Sequence, residues 1–187
     1  MKKIFQVISV IFLTLALLAN DSRSSQAAPI FQLEADIVTG TYGPSDSNPS
    51  YMTEFNGKLY FNANADSTYD YELYVYDGVN PPSLVADIYP GKIGSYPMAL
   101  AVFNNALYFG AYGSESQGTE LWKYDGVNPP SLVADICVGI CHSTPDHLRV
   151  FDNALYFSAD GGDGAGMELW KYDGVNPPAR VVDLYSG

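Results

Sequence analysis

Basic residues are scarce in this chain: Lys and Arg number 9 against 21 Asp and Glu, for a formal net charge of −12 over 187 residues. That deficit argues against nucleic acid or an anionic membrane as partner, since both reward clustered cations. The acid surplus is read as the solvated surface of a soluble exported protein. Histidine is limited to His142 and His147, both in one stretch, and Ser143 beside His142 has no credible triad partner, so a nucleophile-and-base constellation is not found and no enzyme activity is expected. No window has helical periodicity. Beyond the N-terminus nothing is long and apolar enough to span a membrane.

The exception is Ile4 to Ala19, preceded by Lys2 and Lys3 and followed by a polar stretch ending in Ser25-Gln26-Ala27-Ala28. This is the pattern of a cleaved signal peptide, read over residues 1–27, which places the rest of the chain outside the cytoplasm, extracellular or periplasmic. Gln6, Ser9 and Thr14 interrupt a run already short for a bilayer span, and no cysteine follows it, so neither an anchor nor a lipoprotein is expected.

What the remainder has in abundance is self-similarity. Glu72-Leu73-Tyr74-Val75-Tyr76-Asp77-Gly78 returns as Glu120-Leu121-Trp122-Lys123-Tyr124-Asp125-Gly126 and as Glu168-Leu169-Trp170-Lys171-Tyr172-Asp173-Gly174, each step being 48 residues. Leu59-Tyr60-Phe61 recurs at the same spacing, as do Pro49, Pro97 and Pro145. In the middle unit, strand-like runs are expected at 100–103, 106–111, 120–124 and 131–136. They are separated by Asn104-Asn105, whose counterparts Asn56-Gly57 and Asp152-Asn153 also tolerate a tight hairpin turn, and by Asp125-Gly126-Val127-Asn128-Pro129-Pro130. The repeat predicts an all-β fold, a β-propeller-like array of four-stranded antiparallel blades at about 49–88, 97–136 and 145–184, within a domain spanning 28–187. Trp122, Trp170 and Tyr74 are expected to fill the space between blades, and Glu120, Asp125 and their copies to serve strand ends and turns.

The run Leu-Tyr-Phe, then Glu-Leu-Trp-Lys-Tyr-Asp-Gly, then Val-Ala-Asp-Ile resembles the ELWxxDGT repeat of exported bacterial proteins and, more distantly, kelch blades. The resemblance implies a secreted propeller-like protein and transfers no catalytic residues; Val-Asn-Pro-Pro follows Asp-Gly here in place of the usual Thr.

The fourth-strand motif occurs once more than the others, at 31–38, giving about three blades plus an orphan strand. The expectation is an incomplete propeller, either continued beyond Gly187 or closed by several chains, with self-association through open blade faces. Because strands alternate in direction, the loops after the second strands and the connections after the fourth share one face, and these segments differ most between copies. That face is the expected binding surface for an extracellular protein, glycan or surface. Asp66, Asp70, Glu115, Asp160 and Asp163 on it are the candidate binding residues; on loops of acidic and small residues calcium is the one cofactor they suggest, though their spacing fits no standard calcium loop. Cys137 and Cys141 are expected to form a local disulfide, ahead of a zinc site with the nearby histidines. Alternatives are a lectin using the repeat aromatics, or a secreted enzyme whose site lies in further blades.

Overall fold

The computed structural model describes residues 46–64, 70–91 and 93–184, all within one compact unit. The expected signal segment 1–27, the orphan strand 31–38 and Asp66 lie outside the described residues. Among these there are twelve strands and no helix. The strands are β1 Ser50–Phe55, β2 Lys58–Asn64, β3 Tyr71–Tyr76, β4 Ser83–Ala86, β5 Met98–Phe103, β6 Ala106–Ser114, β7 Gly118–Tyr124, β8 Ser131–Ala134, β9 Asp146–Phe151, β10 Ala154–Asp160, β11 Met167–Tyr172 and β12 Ala179–Val182. They form three four-stranded antiparallel meanders, one per repeat, each pairing its strands in chain order.

Local chemistry sets the turns. Asn56-Gly57, Asn104-Asn105 and Asp152-Asn153 all have both residues at positive φ, between 45° and 70°, the twist a two-residue hairpin needs. Between third and fourth strands, Asp125 accepts from the Val127 and Asn128 amides, both at 2.8 Å, and from Asn128 Nδ2 at 2.7 Å. Asp77 and Asp173 repeat this pattern, and the donated bonds hold all three carboxyls below the usual range, Asp77 and Asp173 at about 2. The fourth strands are shorter than the sequence suggests. β8 stops at Ala134 because the Ile136 amide leaves the ladder and donates to Glu120 Oε2 at 2.7 Å.

The core lies between sheets. Period-two alternation along β6 turns Leu107, Phe109 and Ala111 toward Phe55, Tyr60 and Leu73 of the first sheet, and Ala106 and Tyr108 toward Leu155, Phe157 and Ala159 of the third. Trp122 packs on the first of these clusters and Trp170 on the second, while Tyr74 is buried with Phe61 on the other face of the first sheet. At both junctions a second-strand tyrosine meets a third-strand tyrosine of the next sheet, Tyr60 with Tyr124 and Tyr108 with Tyr172, centroids 5.8 Å apart. Burial, with the Tyr172 hydroxyl beside it, pushes Tyr108 up to about 12. Neighbouring sheets approach through their first strands, β1 to β5 and β5 to β9. The third sheet keeps one face bare: Phe151 is 70% exposed, whereas its equivalents Phe55 and Phe103 are 3% and 4% exposed.

Candidate functional site at the loop rim

The rim opposite the hairpin turns is built by the connection between sheets. After β4 the chain runs back across the end of β3, where the Tyr96 amide donates to Tyr71 O at 3.0 Å, and then accepts at Ser95 O from the Tyr112 amide at 2.7 Å. Gly94 permits this crossing, since a Cβ there would sit 2.2 Å from the Tyr71 backbone. The next connection repeats both bonds, Thr144 to Thr119 at 3.1 Å and Asp160 to Ser143 at 2.9 Å.

A buried carboxylate pins each crossing. Glu120 is fully buried and accepts from the Ile136 amide, from the Ser143 amide at 3.0 Å and from Ser143 Oγ at 2.6 Å. Glu72 takes the same bonds from Ile88 and Ser95. Desolvation outweighs these donors and raises both carboxyls, Glu72 to about 7. Ser143 is therefore a structural partner of Glu120 and is not poised for attack on a substrate.

Among the described residues, the carboxylates singled out from sequence are not gathered into one site. Asp70 is half-buried just ahead of β3, Glu115 is exposed in the turn between β6 and β7, and Asp160 accepts from the Gly162 amide at 2.8 Å. Asp163 pairs with Arg180 at 2.8 Å and accepts from the Ala165 amide, which together hold its carboxyl low. Among the described residues no three His, Cys, Asp or Glu side chains form a group able to hold a metal. Cys137 and Cys141 are joined by a disulfide, Cα to Cα 5.5 Å. His142 is occupied by Thr119, whose amide donates to Nδ1 at 3.0 Å, whereas His147 lies beside Asp146 and Ser158 on β9 and β10.

No family model, curated protein or solved structure matches this chain.

Two cavities join His147 and Glu115, already named from sequence, with residues that were not. One, about 360 Å3, lies where the three first strands converge, and each contributes a bulge residue in the left-handed region: Tyr51 at φ 54°, Ala99 at 54° and His147 at 56°. None is glycine, so nothing in composition marked these positions. The other, about 400 Å3, opens on the loop rim between the first two sheets and is lined by Tyr89, Tyr96 and Tyr112 with Ile93, Met98 and Glu115. Tyr89 and Tyr112 meet at 89°, centroids 4.9 Å apart, and His142 stacks on Tyr112 at 5.7 Å. A signal for this pocket was present: its three tyrosines break the repeat, their counterparts 48 residues on being Cys137, Thr144 and Asp160.

Proposed function

We propose that the three sheets are blades of a propeller-like array, of the ELWxxDGT kind, in a secreted non-catalytic protein that binds an extracellular protein, glycan or surface through its loop rim. The observation that carries the reading is the contrast between rims. The Asp-x-x-Asn turns repeat residue for residue with the same internal hydrogen bonds in each copy, and the hairpin turns keep the same positive-φ geometry. The opposite rim varies between copies and holds an open, aromatic-lined pocket. The approach of neighbouring sheets through their first strands supports a fan of blades with those strands innermost. The half-buried packing of Trp122 and Trp170 between sheets supports rim binding over a lectin that uses these repeat aromatics.

The test is a binding panel of extracellular glycans and matrix proteins, run on the chain and on variants of each rim. Tyr112→Ala should abolish any binding found, and Val127→Ser on the opposite rim should leave it intact. The reverse pattern would overturn the assignment.

A further inference from the structure

Building on the rim reading, we infer that the pocket between the first two sheets is a receptor for a methylated ammonium group, formed by Tyr89, Tyr96 and Tyr112 with Glu115 at its mouth. The repeat supplies an internal comparison. The next junction differs: Cys137 and Cys141 stand where Tyr89 and Ile93 stand here, and their disulfide presses so closely on Gly162 that a Cβ there would lie 2.5 Å from Cys137 Sγ. One copy of a common crossing is thus cross-linked by a disulfide, and the other is open and lined with phenol rings.

The chemistry of the open copy selects its guest. Tyrosine faces are electronegative and attract a desolvated cation, and a corner of perpendicular rings such as Tyr89 and Tyr112 suits a compact tetrahedral head better than a flat one. The walls are otherwise apolar, with Ile93 and Met98, and beside the phenols only Glu115 and Thr119 bring polar side chains. Methyl groups carrying a diffuse positive charge satisfy both the apolar walls and the carboxylate. Glu115 is close enough that its charge, after desolvation and Tyr89, helps raise the Tyr112 hydroxyl. None of the described lining residues is basic, and the chain's net charge of −12 favours approach of a cation.

Choline and its uncharged isostere 3,3-dimethyl-1-butanol separate charge from shape. In titrations of the full chain followed by aromatic NMR, choline should give saturable shifts at Tyr89, Tyr96 and Tyr112, and the neutral alcohol should bind about tenfold more weakly or worse. Glu115→Gln, an exposed change that leaves the packing alone, should weaken choline about tenfold, and Tyr112→Leu should weaken it at least as much, far-ultraviolet circular dichroism confirming the fold. Equal affinity for choline and the alcohol, or no saturable choline shift, would overturn the inference. If methyl glycosides moved these tyrosines while choline did not, the cation assignment would fail and rim binding would stand. If every ligand mapped to the hairpin turns, both would fail.

Discussion

Phe103 and Phe151 occupy the same place in successive repeats, one residue before the hairpin turn at the end of a first strand. Phe103 packs on Tyr108, Tyr172 and Gly174 of its own and the next sheet; among the described residues Phe151 has a ring contact only with Tyr156, and it stands in solvent. The pair isolates what one sheet gains from the next, because local strand and turn chemistry are common to both. A phenylalanine side chain withdrawing ~200 Å2 from water at ~25 cal/mol per Å2 is worth up to about 5 kcal/mol. Phe103→Ala should cost about 3–4 kcal/mol once partial collapse of the cavity is allowed for. Phe151→Ala should cost less than about 1 kcal/mol. At about 3 °C per kcal/mol for a domain of this size, the first variant should melt some 10 °C lower and the second almost unchanged. Urea and thermal melts would be run at a dilution where sedimentation shows monomers, since the bare face around Phe151 should draw a second copy at higher concentration. Equal losses for the two variants in monomeric protein would refute the reasoning.

Two further outcomes follow from the site. Glu72 titrates near 7 in the fold against an ordinary 4.5, so the folded state holds its proton more tightly; that stability is full below about pH 4.5 and is lost as pH rises through 7. Asp77 and Asp173, held at about 2 against 3.8, add stability that is present above about pH 4 and is lost as pH falls toward 2. Stability should therefore peak near pH 4–5, and Glu72→Gln should flatten the alkaline side, as read from melts across pH; an unchanged slope would count against the buried carboxylate. Reducing the Cys137–Cys141 bridge should cost about 2 kcal/mol, the entropy of so short a loop, and thiol titration of oxidised protein should find no free thiol.

The strands and turns were legible because their determinants are local. Alternating apolar residues such as Leu107, Phe109 and Ala111, and turn pairs such as Asn104-Asn105, carry their conformations in themselves. The ends of the fourth strands were not, since Ile136 leaves the ladder for a carboxylate sixteen residues earlier, a bond that exists only once the sheet is paired. The left-handed bulges at Tyr51, Ala99 and His147 were hidden for the opposite reason: the conformation is imposed by register against the second strand, and the residues there show no preference for it. Of the described carboxylates picked out on the loops, only Glu115 lines the aromatic pocket. Asp160 and Asp163 are instead bound to their own loop and to Arg180. The tyrosines that complete the pocket come from a connection and from the end of β6, brought together only when two sheets pack.

Native-state hydrogen exchange tests most directly whether each sheet is held by its neighbours. β6 and β7, covered on both faces, should show the slowest amides in the molecule, and β10 and β11, bare on one face, should exchange faster at matched positions such as Phe109 and Phe157. Protection of β10 and β11 equal to or above that of β6 and β7, in monomeric protein, would contradict a fold stabilised by stacking one repeat on the next.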